Sequence, residues 1–196
     1  MYIKQQTCDY INKIFETYND ASQTATTKRM HPNFNDFEKV FANLKLKCQD
    51  INLVRIEESN NPIAVPPHAD SPKGCVTTIV PLKFFSPVHT ILFESFYTGT
   101  NSRGYKYRPT NNRYYKDEWL STDHQHVDNL TDNNINPIDH QTHLSFLEKE
   151  DLCGLTVEQV IPWQLSQAMQ FPSNQLHSGS TFTGSKRWLL IVSAIS

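Results

Sequence analysis

Eight short segments of β-branched and apolar residues constrain the fold of this 196-residue chain more than any other feature. Runs of this length, bounded by Pro, Gly, Asn, Asp or Ser, are typical of β-strands. Eight such strands favour a two-sheet jelly roll, whose narrow interior can hold one small ligand. The predicted strands are Ile51–Glu57, Ala64–Asp70, Val76–Leu82, Thr90–Phe96, Leu155–Ile161, Gln167–Phe171, His177–Phe182 and Trp188–Ala194.

Two amphipathic helices are predicted before the first strand. Apolar side chains recur at helical spacing from Cys8 to about Tyr18, and again from Asn35 or Asp36 to Lys47. Phe37, Val40, Phe41 and Leu44 form the inner stripe of the second helix. We expect residues 1–50 to form a helical buttress against the outside of a sheet, rather than a surface that binds a partner.

A polar stretch, residues 98–153, interrupts the strands and is rich in Tyr, Asn, Arg, His and Asp. Connections this long in a compact domain are usually functional or disordered. The stretch is either a lid that covers a binding site and contacts a substrate, or a decoration packed against the exterior of the barrel. We expect a single domain over residues 1–196, with a barrel core formed by residues 51–97 and 154–196.

The sequence His68-Ala69-Asp70 is a candidate metal-binding motif. Residues i and i+2 of a strand point to the same side of a sheet, so His68 and Asp70 can face one ion together. A distal histidine, His177, begins another predicted strand. Two imidazoles and one carboxylate can occupy one face of an octahedral ferrous ion and leave positions open for a co-substrate and dioxygen.

Arg187 follows the distal histidine and begins the last apolar strand. Its planar guanidinium can form two parallel charge-assisted hydrogen bonds with a carboxylate. Burial of this charge among Trp188, Leu189 and Leu190 would be unfavourable without such an anion. Arg187 is therefore a candidate clamp for the far carboxylate of a dicarboxylic keto acid.

These residues resemble the Fe(II)- and 2-oxoglutarate-dependent oxygenases, which have a double-stranded β-helix (cupin-like) core flanked by α-helices. The likeness runs from about Asn52 to Ser196 and is specific around His68–Leu82 and Phe171–Val192. The strand from Cys75 to Leu82 is most similar to the prolyl-hydroxylase-like branch.

The resemblance implies a function and a set of site residues. His68, Asp70 and His177 would bind iron, and Arg187 would bind the 5-carboxylate of 2-oxoglutarate. The chain would use O2 to couple decarboxylation of 2-oxoglutarate to hydroxylation of a small-molecule or peptide acceptor.

The chain departs from the family pattern at two positions that help to hold the co-substrate in relatives. Pro81 stands near the place where many relatives have Tyr, and Leu189 stands where many have Ser or Thr. Thr77 or Thr78 is a substitute second anchor for the carboxylate. Ile79, with Val80, Leu92 and Phe93, would form the wall of the site.

Other interpretations of the same residues stay open. Asp70-Ser71-Pro72 is also a good turn initiator. His126-Val127-Asp128 forms a competing H-x-D triad with His177, although it lies in a polar stretch. His140 and His143 could meet on one helical turn, but exposed loop histidines are the expected account. A cupin-like metalloprotein that does not use 2-oxoglutarate and a metal-free jelly-roll binding module are the rival classes.

Charge and hydropathy argue against nucleic-acid and membrane partners and against a membrane or secretory location. The formal net charge is −2, which gives no electrostatic attraction to nucleic acid or to a membrane surface. No stretch is long and apolar enough to span a bilayer, and the first residues do not resemble a signal peptide. The cysteines form no C-x-x-C pair, so we expect free thiols in a cytoplasmic protein.

Overall fold

All eight predicted strands are present in the computed structural model of the protein, which confirms the mainly β fold. The structure describes residues 4–17, 22–23, 27–30, 37–45, 51–59, 66–70, 74–84, 86–100, 105–106, 126–180 and 187–195. The strands are β1 (Ser22–Gln23), β2 (Thr27–Met30), β3 (Ile51–Ser59), β4 (His68–Ala69), β5 (Cys75–Lys83), β6 (His89–Tyr97), β7 (Tyr105–Lys106), β8 (Val127–Asp128), β9 (Val157–Pro162), β10 (Met169–Pro172), β11 (Gln175–Gly179) and β12 (Arg187–Ile195).

The described strands form two antiparallel sheets. The first, called here the major sheet, has the order β1-β2-β3-β12-β5-β10. The second, the minor sheet, has the order β7-β4-β11-β6-β8, and β9 also pairs with β6. Strands that are consecutive in sequence, such as β4, β5 and β6, alternate between the sheets. This alternation is the jelly-roll, cupin-like arrangement that the sequence predicts.

The strand that carries the H-x-D motif is shorter than predicted. We expected a strand over Ala64–Asp70, but β4 contains only His68 and Ala69. Pro66 and Pro67 lack the N–H group that a paired strand must donate, so regular pairing starts after them. The first two residues of the predicted strand lie outside the described residues.

Buried apolar side chains fall into three clusters, which alternate along the strands. One cluster contains residues of both sheets and therefore fills the space between them; we call it the interior cluster. The other two clusters each contain residues of one sheet and lie on its outer face. The interior cluster consists of Ile79, Val88, Leu92, Trp163, Met169, Phe171, Leu189 and Ile191.

The N-terminal helices cover the outer face of the major sheet, but the prediction of a purely helical buttress over residues 1–50 is wrong, because β1 and β2 extend this sheet beyond β3. Helix α1 spans Gln5–Thr17 and helix α2 spans Glu38–Asn43. The predicted ends of these helices at Tyr18, Asn35, Asp36 and Lys47 lie outside the described residues. Ile11 of α1 and Phe41 of α2 are fully buried in the cluster that includes Val80, Leu190 and Val192 of the sheet.

The second half of the polar stretch covers the outer face of the minor sheet. We expected the strands to stop between Tyr97 and Gly154, but β7 and β8 lie there. Helix α3 (Pro137–Asp139) continues as a π-helical turn, His140–Leu144, and a 3₁₀ turn spans Lys149–Leu152. These elements bury side chains against β6 and β11. The cluster consists of Ala69, Ile91, Phe93, Tyr97, Val127, Ile135, Leu144, Leu147, Leu152, Leu155 and Leu176.

This packing favours the decoration over the lid for residues 126–153. Residues 101–104 and 107–125 lie outside the described part of the chain, so the lid stays a prediction for them. Among the described helices, none combines the length and the apolar character needed to cross a membrane.

Leu144 and Ile138 offer a test of this outer packing within one helical segment. Leu144 is 0% exposed and Ile138 is 72% exposed. Leu144→Ala should lower the free energy of unfolding by about 2–5 kcal/mol, because it leaves a cavity in a packed cluster. Ile138→Ala should change it by less than about 0.5 kcal/mol. Urea denaturation measures both; equal, small effects would show that the segment does not pack as described.

Candidate metal centre

The side chains of the H-x-D motif and of the distant His177 come together between the sheets. His68 lies in β4, Asp70 follows that strand directly, and His177 lies in β11. His68 is the register partner of His177, and their ring centroids are 4.2 Å apart. Directly opposite residues on neighbouring strands point to the same face, so both imidazoles enter the same space. One ligand atom from each of the three residues lies within 4.8 Å of the others.

The carboxylate of Asp70 faces the Nε2 atoms of both imidazoles, one with each oxygen. The Nε2 atom of His68 is 3.5 Å from Oδ1 of Asp70, and the Nε2 atom of His177 is 3.5 Å from Oδ2. The side chains of His68 and Asp70 are 19% and 23% exposed, whereas that of His177 is 5% exposed. Solvent therefore reaches the centre from the side of the H-x-D motif.

Main-chain carbonyl groups fix the orientation of both histidine rings. Nδ1 of His68 lies 2.9 Å from the Pro66 carbonyl oxygen, and Nδ1 of His177 lies 3.0 Å from that of Gln175. A carbonyl oxygen can only accept, so each Nδ1 must carry the hydrogen. In the neutral rings the Nε2 lone pairs then point at the centre. Such contacts commonly hold metal-ligating histidines in position.

Burial and electrostatics set the charges of the cluster. Burial, followed by the neighbouring His68, lowers the pKa of His177 from 6.5 to about 4. Burial by itself would raise the pKa of Asp70. His177, His68 and the hydroxyl of Thr77 outweigh this effect and hold the pKa of Asp70 below its ordinary value. At neutral pH the centre therefore combines a carboxylate with a neutral His177.

This donor set fits a divalent cation. With neutral rings, the carboxylate and the two Nε2 lone pairs are all acceptors, and their convergence is unfavourable unless a cation or a proton is shared. Imidazole suits iron, zinc, copper and nickel, and two imidazoles with one carboxylate suit non-haem Fe(II). The geometry brings together the predicted triad, and its role as an iron site stays a prediction.

Apolar side chains surround the buried side of the centre. The ring of Phe171 packs against His177 with centroids 4.6 Å apart, a contact that the sequence reasoning missed. Leu92, the register partner of His177, belongs to the interior cluster, as expected. Val80 and Phe93 lie in the two outer clusters, so their predicted place in the wall is wrong. Alternation along a strand sends neighbours such as Leu92 and Phe93 to opposite faces.

The three β5 residues predicted to contact the co-substrate do not share a face. Ile79 belongs to the interior cluster. The Thr77 hydroxyl also lies inside the sandwich and donates a hydrogen bond of 2.8 Å to Oδ2 of Asp70. Thr78 lies on the opposite face, where its hydroxyl accepts a hydrogen bond from Gln170. The placement of Thr78 therefore disfavours it as a co-substrate anchor.

Arg187 is the first residue of β12, and its backbone pairs with that of Ser59. It stands two residues before Leu189, which belongs to the interior cluster. The Arg187 side chain lies outside the described residues, so its predicted role as carboxylate clamp stays a prediction.

The competing histidines do not join this centre. His126 and Asp128 are exposed, and in the described part of the chain neither belongs to the cluster of His177. His140 and His143 are half-buried in a helical segment, not exposed in a loop. Nε2 of His140 contacts the Leu147 carbonyl, and His143 packs against His89.

The comparisons with known proteins support the cupin-like fold and nothing beyond it. No protein-family model and no curated protein matches the sequence. Among solved structures, HygX from Streptomyces hygroscopicus with nickel, 2-oxoglutarate and hygromycin B bound is similar at a TM-score of 0.50 and 9% identity, over 99% of this chain and 80% of HygX. HygX with nickel and 2-oxoglutarate has a TM-score of 0.50 at 10% identity, over 98% and 79%. For E. coli ycfD the TM-score is 0.45 at 11% identity; the match covers 93% of this chain but only 37% of ycfD.

The lowered pKa of His177 predicts a pH-dependent stability of the metal-free protein. Between pH 6.5 and about 4 the unfolded chain binds a proton at this histidine and the folded chain does not. The free energy of unfolding should therefore fall by about 3 kcal/mol as the pH is lowered through this range. Urea titrations at several pH values, with and without His177→Gln, measure the effect.

His177→Gln should remove most of this slope. A smaller slope should stay, because burial and the neighbouring His143 also lower the pKa of His89. His126→Gln, at an exposed histidine, is the control and should leave the slope unchanged. A stability that does not change between pH 6.5 and 4.5 would contradict a buried, neutral His177.

Proposed function

We propose that this chain is an Fe(II)- and 2-oxoglutarate-dependent oxygenase that hydroxylates an organic acceptor. The observation that carries the proposal is the convergence of His68, Asp70 and His177, with the Nδ1 atom of each imidazole bound to a main-chain carbonyl. This set matches the two-histidine, one-carboxylate face of non-haem iron oxygenases.

The fold and the interior of the sandwich support 2-oxoglutarate as co-substrate. HygX, which shares the fold, has been crystallised with nickel and 2-oxoglutarate bound. In this chain, Arg187 would bind the far carboxylate with its guanidinium fork. Ile79, Leu92 and Ile191 belong to the same apolar cluster as Phe171, which contacts His177, and apolar side chains of this kind suit the methylene groups of a keto diacid. Thr78 is left out of the proposed site because it lies on the other face.

The residues of the chain supply binding, orientation and exclusion of water. When bound, ferrous iron with O2 supplies the oxidation of 2-oxoglutarate to succinate and carbon dioxide and the insertion of one oxygen atom into a C–H bond of the acceptor. The carbonyl groups of Pro66 and Gln175 keep the imidazole lone pairs directed at the centre. Phe171 and the interior cluster keep bulk water from the buried side.

The acceptor would approach from the exposed side of His68 and Asp70. Since His177 is almost fully buried, the open side of the centre lies at the H-x-D motif. Strand β7 pairs with β4 there, with Lys106 opposite His68, so the polar stretch reaches this side. We propose a small-molecule or peptide acceptor bound by residues of that stretch. The prolyl-hydroxylase-like branch, a single domain over residues 1–196 and a cytoplasmic location complete the proposal.

Anaerobic addition of Fe(II) and 2-oxoglutarate tests the function without knowledge of the acceptor. Chelation of ferrous iron by a keto acid should give a weak absorption band in the green. Arg187→Ala should weaken 2-oxoglutarate binding about 10- to 100-fold, because it removes charge-assisted hydrogen bonds. His177→Ala should abolish the band, since it removes a metal ligand.

Lys149→Ala, at an exposed site outside the proposed machinery, is the matched control and should leave the band unchanged. Binding of iron without 2-oxoglutarate would overturn the proposal in favour of a cupin-like metalloprotein of another activity. Absence of metal binding would overturn it in favour of a metal-free jelly-roll module.

A further inference from the structure

Ser173 connects the two halves of the metal centre through its main chain. It lies in the two-residue turn between β10 and β11, the strand of His177. Its carbonyl oxygen accepts a hydrogen bond of 2.9 Å from the Asp70 N–H group, and its own N–H donates a bond of 2.9 Å to the Cys75 carbonyl. The turn is therefore hydrogen-bonded both to Asp70 of the H-x-D motif and to Cys75, the first residue of β5.

The next residue, Asn174, fixes the other side of the same turn. Its carbonyl oxygen accepts a hydrogen bond of 2.7 Å from the Tyr97 N–H group. Its side-chain amide donates a bond of 3.0 Å to the Tyr97 carbonyl oxygen. Ser173 thus stands in a turn that is bound to β6 as well as to the H-x-D loop, which makes it a stiff support.

The hydroxyl of Ser173 reaches the carboxylate of Asp70 through Thr77. The two hydroxyl oxygens are 2.9 Å apart, and Thr77 donates its one hydrogen to Oδ2 of Asp70. Thr77 has no second hydrogen to give, so Ser173 must be the donor in the contact between them. The hydrogen bonds therefore run in one direction, from Ser173 to Thr77 to the carboxylate.

Burial makes this chain of donors hard to replace. Ser173 and Thr77 are both 0% exposed, so water has little access to take the place of either hydroxyl. An ionised carboxylate that is partly removed from water needs donated hydrogen bonds to replace the lost hydration. Hydrogen bonds to metal-ligating carboxylates fix their orientation.

We propose that Ser173 is a positioning residue that directs the Asp70 carboxylate towards the metal through Thr77. The inference rests on the metal centre of the proposed function. In this arrangement the Thr77 hydroxyl binds Asp70 and does not bind the co-substrate. Ser173 and Thr77 would affect metal affinity more than 2-oxoglutarate binding.

Co(II) binding to the metal-free protein, measured by calorimetry and by the visible absorption of the ion, tests the inference. Thr77→Val should lower Co(II) affinity about 10- to 100-fold, the usual effect of losing such a support. Thr77→Ser keeps the hydroxyl and should stay within about threefold of the wild type. Ser173→Ala should lower the affinity about three- to tenfold, less than Thr77→Val does, because Thr77 still donates to Asp70.

The double variant Thr77→Val/Ser173→Ala gives the deciding result. If Ser173 acts through Thr77, the double variant should bind Co(II) as weakly as Thr77→Val alone, because neighbours in one network are not additive. Additive losses would overturn the inference, and so would a Ser173→Ala affinity equal to that of the wild type.

Ser95→Ala is the matched control for loss of a buried serine. Ser95 is also 0% exposed, and its hydroxyl donates to the Asn129 carbonyl, in the segment that covers the outer face. Its removal should lower stability about as much as Ser173→Ala does, without a change in Co(II) affinity. A parallel fall in Co(II) affinity would show a general loss of folding and overturn the assignment.

The two proposals fail in different ways. If the wild-type protein binds neither Co(II) nor Fe(II), the proposed function fails and this inference fails with it. If the wild type binds Co(II) and Thr77→Val does so equally well, only the positioning role is wrong.

Discussion

The pairing of β4 with β11 is the interaction on which the rest of the centre depends. It places His68 opposite His177, so that both rings enter the space between the sheets. A shift of one residue would turn His68 to the outer face, because side chains alternate along a strand. β4 has only two residues, too few to hold this register alone. The register is supported by β7 on the other edge of β4 and by the bond between the Asp70 N–H and Ser173.

The sequence predicts the architecture and the three converging side chains well, for identifiable reasons. Segments such as Val76–Leu82 and Trp188–Ala194 are β-branched, of strand length and clearly bounded, so their existence depends little on tertiary context. The H-x-D spacing matches the two-residue period of a strand. Each strand differs from its predicted ends by a few residues, as expected when a pairing partner decides where pairing stops.

Other features depend on contacts that one segment does not encode. Val80 and Ile79 are both apolar and both buried, since each face of the major sheet is covered; a continuous apolar run does not reveal which neighbour faces inside. The Pro66 and Gln175 carbonyls that orient the histidines belong to the backbone and have no side-chain signature. The family pattern makes Thr77 a substitute for the missing co-substrate anchor; its hydrogen-bond partner, Asp70, is visible only in three dimensions.

The order of the ligands along the chain has a further consequence. His68 and Asp70 come before residues 98–153, and His177 comes after them. A cation bound by all three would cross-link the polymer and close a large loop that contains the whole polar stretch. The entropy of closing a loop grows only slowly with its length. The length and content of the enclosed stretch could therefore change at little cost in loop entropy, while His68, Asp70 and His177 keep their positions.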